Sequence, residues 1–289
     1  MRVRTALFGV LLFLQSALVL TGGAVRLTGS GLGCPTWPEC TPGSYTPVPH
    51  QAEGQLHAWI EFGNRLLTFA LLLSALIAVI YVLKSGRKDL RSLAVGQILG
   101  IFGQGVLGGI TVLTDLHPLP VAGHLLLSML LIAGATSLYS RRHEPHIKVS
   151  APTQTVSLLS QTHIAISFIV LILGTIVTGS GPHAGDEKAQ RFGFDIRSVA
   201  ILHADAVIFL MGLTIALLVA HSITHSTKKA IYFFFAISLA QGGVGYAQYL
   251  TGIPELLVAI HLAGATIFWI AAWRIRLSVV RTSQQERDQ

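Results

Sequence analysis

The chain has 289 residues, 52% of them apolar and only 11% charged, with a mean hydropathy of +0.63. Those values exclude an ordinary soluble globule and point to a polytopic membrane protein. The formal net charge of +7 is not a nucleic-acid signal, because its cations sort by loop as the positive-inside rule describes.

A hydrocarbon core about 30 Å thick takes about 20 apolar residues per helix. By that rule eight spans are predicted, at 6–28, 57–83, 92–113, 120–139, 157–178, 199–220, 230–250 and 254–273. The expected fold class is all-α. A β-barrel would need alternating segments of about 10 residues, and these runs are too long and too uniformly apolar. The opening "MRVR" and its apolar run could be misread as a signal peptide. The run reaches about 20 residues without a clear small-residue cleavage site, so it reads as a retained first helix.

The loop after span one, "GCPTWPECTPG", holds both cysteines, Cys34 and Cys40. Two cysteines allow one connectivity, and an oxidising compartment permits the bond. The pair reads first as a staple on a Pro-rich loop and second as a redox pair. Span two opens with "LHAWIEFGNR". At 100° per residue, His57, Glu61 and Asn64 share an arc of about 60°, with Arg65 adjoining. Glu61 and Arg65 are spaced i, i+4 and can pair. One reading is a self-satisfied buried ion pair. The other gives Glu61 a role in proton transfer or substrate orientation.

The later spans repeat the earlier ones. "RLTGSG" (26–31) follows span one and "IVTGSG" (176–181) follows span five. Span three carries "GQGVLGGITVLT" and span seven "AQGGVGYAQYLTG"; Gln104 precedes His124 by 20 residues, and Gln241 precedes His261 by 20. Two parallel four-helix repeats are expected, 1–145 and 146–289, related by an axis along the membrane normal. Of the 20 Lys and Arg, 15 fall in the N-terminus, the even-to-odd loops and the tail. The opposite side has Lys188, Arg191 and Arg197, and Arg26 and Arg65 lie in or beside spans. Both termini are therefore expected in the cytoplasm, with the Cys34–Cys40 loop outside.

Four of 12 histidines, His57, His124, His203 and His261, fall near the start of even-numbered spans. Ionisable side chains within a bilayer face the bundle interior and mark function. One such histidine is commonly a hydrogen-bonded core residue, and His163 keeps that reading. His143, His146, His221 and His225 sit at basic loop edges and read as solvated. Four at repeat-related positions point to a cofactor. Imidazole suits iron, and the second and fourth helices of a bundle can face each other across its core. Two facing imidazoles per repeat make a bis-histidine heme site, giving two hemes. Arg65 or Arg26 could then meet a heme propionate. The small residues of spans three and seven would leave room for a macrocycle, or would serve helix packing alone.

Taken together, these residues resemble the heme A synthases of bacterial and mitochondrial membranes, in an actinobacterial-like variant reading "EFGNR" in span two. The resemblance covers the whole chain. It implies oxidation of the C8 methyl of heme O to the formyl group of heme A, by successive hydroxylations to a gem-diol and loss of water. It implies heme b held by His203 and His261, and a catalytic N-terminal half with Glu61 as the family's essential carboxylate. Cys34 and Cys40 match the family's outer-loop pair, which can form a disulfide. The partners implied are membrane lipid, a heme O synthase and cytochrome oxidase assembly, in the cell membrane; the oligomeric state is open. Two features depart from the family. Asn64 stands where many members carry a histidine, with His57 two turns earlier, and "GPHAGDEKAQRFGFDIRS" lacks a second cysteine pair. His183 and Asp186 stand in that loop, with at most a surface contact expected of them. His57 is taken as the second N-terminal ligand; the alternative is a heme held by His124 with one face open. A di-heme b-type electron-transfer cytochrome is the competing function, and a transporter on parallel repeats a third. Glu61 beside only one histidine pair argues for the enzyme.

Overall fold

The structure, a computed structural model, describes residues 2–143, 153–187, 189–220, 223 and 225–285, with side chains from 3 to 279. Eight helices follow in order: α1 (Arg2–Leu27), α2 (Gln55–Lys84), α3 (Lys88–Leu113), α4 (Pro118–Ser140), α5 (Gln154–Ser180), α6 (Ile196–Val219), α7 (His225–Leu250) and α8 (Glu255–Gln285). All eight are long and apolar enough to cross a membrane, and no strand occurs among the described residues. The protein is an all-α, multi-pass membrane protein. The expected repeat boundary at 145/146 lies outside the described residues, as do His146 and His221.

Every expected span is present, and most begin two to five residues sooner than hydropathy suggests. The extra turns carry polar starts such as Lys88–Asp89 and His225–Ser226, and α8 runs on to Gln285. Helical hydrogen bonding continues past the hydrocarbon edge, whereas a hydropathy window registers only the apolar part. Caps mark some boundaries. Pro118 fills the first turn of α4, where a missing N–H costs nothing, and the His117 ring accepts from the Leu119 N–H at 3.3 Å. At α6 the Asp195 carboxylate accepts from the Ser198 N–H at 2.9 Å and its hydroxyl at 2.7 Å.

Helices α1 to α4 pack in a ring: α1 on α2, α2 on α3, α3 on α4, and α4 back on α1. Helices α5 to α8 do the same. Across each ring the even-numbered helices stand diagonally and do not pack on each other. The rings meet through α1, α4, α5 and α8. There the Trp269 and Trp273 indoles of α8 donate to the Met129 carbonyl (2.6 Å) and the Ser137 hydroxyl (2.7 Å) of α4. Inside the first ring Gln15 of α1 donates to Gln97 of α3 at 2.9 Å, and Gln97 donates to the Leu131 carbonyl of α4 at 3.1 Å.

The dry cores are offset toward the end of the bundle that carries the termini. In the first ring the core is Phe8, Leu11, Leu71, Ala75, Ala78, Val82, Leu90, Ala94, Ile101, Ala135 and Leu138. A second core includes Leu210, Leu217, Phe234, Phe268, Trp269 and Ile275, and reaches Met129 and Ile132 of α4. At the opposite end, where the cysteine loop lies, the interior of each ring is lined by half-buried polar side chains.

Candidate functional site

At that end an odd-numbered helix carries a glycine beside a ring nitrogen or carbon of the even helix that follows it. A methyl group built on Gly108 of α3 would come 3.2 Å from His124 Nε2. On Gly174 of α5 it would come 3.4 Å from His203 Cε1, and on Gly245 of α7 it would come 3.4 Å from His261 Cε1. A methyl group would press on the ring at Gly108 and would just touch it at Gly174 and Gly245, so glycine lets the backbone of each odd helix stand close beside an imidazole. The small residues of spans three and seven therefore do more than let helices approach. Gly174 was not singled out by the repeat; a glycine facing a histidine across each hairpin is the signal that finds it.

His203 and His261 stand on the diagonal helices of the second ring. Both Nδ1 atoms are buried without a hydrogen bond of good geometry, and the Val170 carbonyl lies near the His203 ring. Each Nδ1 lies on the side of the glycine that backs its ring, which leaves Nε2 as the nitrogen that could reach an iron held between the pair. Facing helices that do not touch, half-buried rings and glycine backing all fit a porphyrin between the pair. Among the described residues no three His, Cys, Asp or Glu side chains cluster as a bare metal site. Imidazoles in ones and twos suit an iron that arrives in its own ring.

In the first ring His124 sits above Gly108, its turn held from α3. Gln104 Nε2 donates to the His124 carbonyl (3.1 Å) and to the Ser128 hydroxyl (2.7 Å). His57 is elsewhere. It is the third residue of α2 and lines a crevice of about 270 Å³ with Gly29, Leu32, Gly33, Glu53 and Asp186. A methyl group on Gly33 would meet its backbone carbonyl at 2.4 Å, so the cysteine loop lies directly on this turn. The expected pairing of His57 with His124 gains no support from this placement.

Glu61 and Arg65 do pair, at 2.6 Å. The pair also holds the cysteine loop. One Glu61 oxygen accepts the Cys34 N–H at 2.8 Å. The Arg65 guanidinium donates to the carbonyls of Cys34 (3.0 Å), Thr36 (3.1 Å) and Glu39 (3.1 Å). Cys34 and Cys40 are joined by a disulfide and fully buried. Trp37, between them, lies against Gly109 of α3. Arg26 likewise donates to backbone carbonyls, those of His183 and, at 3.0 Å, Thr178. Neither guanidinium is therefore disengaged and waiting for a propionate. His183 in turn meets the Ile253 carbonyl at 2.7 Å, a contact between loops rather than a free surface. The sequence shows the i, i+4 pair but not its loop partners, since carbonyl acceptors leave no mark in a sequence. His163 is a core residue whose Nε2 lies 3.2 Å from the Thr214 hydroxyl and whose ring stands edge-on to Phe234, with Nδ1 buried without a partner.

A family model described as cytochrome oxidase assembly protein matches residues 5–185. Among curated relatives, the heme A synthase of Sinorhizobium fredii is 25% identical, covering 92% of this chain and 87% of that protein. The heme A synthase of Rhizobium leguminosarum is 26% identical over 92% and 88%. That of Shewanella oneidensis is 26% identical over 91% and 92%.

Proposed function

The chain belongs to the cytochrome oxidase assembly protein family, and from that premise we propose that it is a heme A synthase, a membrane oxidoreductase that converts heme O to heme A for cytochrome oxidase. The observation that carries this reading is the near-full-length match to proteins of that name, on a chain whose paired rings each place glycine-backed histidine above a dry core. The reaction oxidises the C8 methyl to a formyl group through successive hydroxylations. Heme iron supplies the oxidising chemistry when bound.

The residues divide by half, with 1–145 the catalytic unit and 146–289 the unit holding heme b. His203 and His261 hold heme b between the diagonal helices α6 and α8. His124 holds the porphyrin of the catalytic half. Glu61 places a carboxylate at the mouth of that half, where it can accept or relay protons during the oxidation. Arg65 fixes that carboxylate and seats the disulfide loop over the mouth, which limits water there. His57 lines the entrance. The distribution of Lys and Arg supports cytoplasmic termini in the cell membrane and a disulfide loop on the oxidising side. A heme O synthase is the partner that supplies substrate.

Coexpression with a heme O synthase, followed by heme extraction and mass analysis, tests the reading. Heme A and its hydroxylated precursor are the expected products. Heme B with unconverted heme O would instead identify a di-heme electron-transfer cytochrome. His203→Ala or His261→Ala should remove the low-spin heme b signal, and His124→Ala should abolish conversion while leaving it.

A further inference from the structure

We propose that Asn64 is the side chain α2 presents to the catalytic porphyrin, leaving the iron face opposite His124 without a protein ligand and offering an amide N–H to a small molecule bound there. The proposal rests on the reading of the first ring as the heme O-oxidising half.

Three observations place Asn64. First, the glycine pattern across each odd-to-even hairpin has a fourth member. Gly108 backs His124, Gly174 backs His203, Gly245 backs His261, and a methyl group on Gly22 of α1 would have Asn64 Nδ2 as its neighbour, at 3.9 Å. No glycine backs the His57 ring. Second, the buried core begins at a similar distance below: Leu71, Leu210 and Phe268 are the first buried apolar residues beyond Asn64, His203 and His261, each seven residues on, and Met129 is the first beyond His124, five residues on. Third, Asn64 falls within the range of depths the other histidines span: His124 and His203 each lie 16 residues from the terminal-side end of their helices, Asn64 lies 20 and His261 lies 24, whereas His57 lies 27. His57 is thus about 10 Å further out than Asn64, at 1.5 Å per residue.

The amide is also oriented. The Thr21 hydroxyl of α1 lies 2.6 Å from Asn64 Oδ1, nearer than the Ala17 (3.1 Å) and Leu18 (3.3 Å) carbonyls it also reaches. With Oδ1 on Thr21, Nδ2 is the end left over, and no hydrogen bond from it occurs among the described residues. A carboxamide nitrogen is a donor and a very poor iron ligand. An amide in this slot therefore gives a hydrogen bond where the second ring has a ligand. An iron bound from one side can take a small molecule on the other, which a bis-histidine iron cannot do without losing a ligand. The two rings then differ at one position in a way that suits their two tasks. Thr21 is a positioning residue, acting through Asn64.

The test uses the purified full chain loaded with heme, reduced and exposed to carbon monoxide. One heme of the wild type should bind it and the other should not. Asn64→Leu and Thr21→Val should each raise the C–O stretching frequency of the bound gas, because a hydrogen bond to it is lost. Thr21→Ser should restore the wild-type value, which a merely structural role for Thr21 would not produce. Asn64→His should weaken carbon monoxide binding at least roughly tenfold and add a second low-spin signal. His57→Ala should change none of these. The heme held by His203 and His261 reports folding in every variant. A wild type whose hemes both refuse carbon monoxide overturns the proposal, as does a His57→Ala variant whose catalytic heme turns high-spin. If these spectra appear as expected but coexpression yields no heme A, the enzyme reading fails and the placement of Asn64 stands.

Discussion

Glu61 brings charge into an apolar bundle, and all of that charge is spoken for by Arg65 and the Cys34 N–H. The carboxylate therefore has two separable duties, seating the loop and handling protons. Glu61→Gln keeps an acceptor for the Cys34 N–H but removes the charge facing Arg65. Losing a charge-assisted hydrogen bond costs about 2 kcal/mol. The variant should show faster reduction of Cys34–Cys40 by added thiol, retained heme b, and loss of heme O conversion. Wild-type heme A yield alongside faster reduction would leave Glu61 as a clamp only. Asp195 is a simpler case at the membrane surface. The Ser198 hydroxyl and backbone N–H hold its carboxyl below the usual carboxylate range. A depressed folded-state value means that the stabilisation is present above the unfolded value and is lost as pH falls through the folded one. Asp195→Ala should lower the melting temperature at neutral pH, and melts at successively lower pH should show the gap closing below about pH 4.

The helices could be read from the sequence because bilayer thickness dictates their length, and each of the eight runs had to satisfy its own backbone. Their overhangs could not, since Lys88–Asp89 or His225–Ser226 look like loop residues until the helix is seen to continue through them. The cysteine loop was legible as a staple, and the structure joins Cys34 to Cys40. Its docking was not. Three carbonyls on Arg65 and the seat of Trp37 against Gly109 depend on a tertiary path that no local pattern encodes. Closing a loop this short restricts the unfolded chain by about 2 kcal/mol. Cys34→Ser should therefore speed amide exchange over residues 31–46 while α3 and α4 keep their protection. Equal loss of protection in those helices would show that the loop supports the ring itself.

At the scale of the whole molecule, two rings of the same helix order meet at α1, α4, α5 and α8, while each ring's histidines stand on its own helices. The halves should then load independently. Gly245→Val drives a side chain into His261 and should remove heme b; Gly108→Val drives one into His124 and should spare it, with heme content by pyridine hemochrome as the readout. The histidines behind this prediction were visible in the sequence as repeat-related positions. The slot on α2 was visible as Asn64 standing where a histidine was expected, but its neighbour Gly22 and its contact with Thr21 were not, because they depend on how α1 packs on α2. The buried amide pair Gln15–Gln97 carries a consequence in time. The two residues are 82 positions apart in the chain. At about 5–20 residues per second of synthesis, α1 enters the bilayer roughly 4–16 s before α3 emerges to meet its amide. An unmatched amide in hydrocarbon is unfavourable. Gln15 therefore spends that interval without its Gln97 partner, and the bond that ties α1 to α3 forms only once the third helix has arrived.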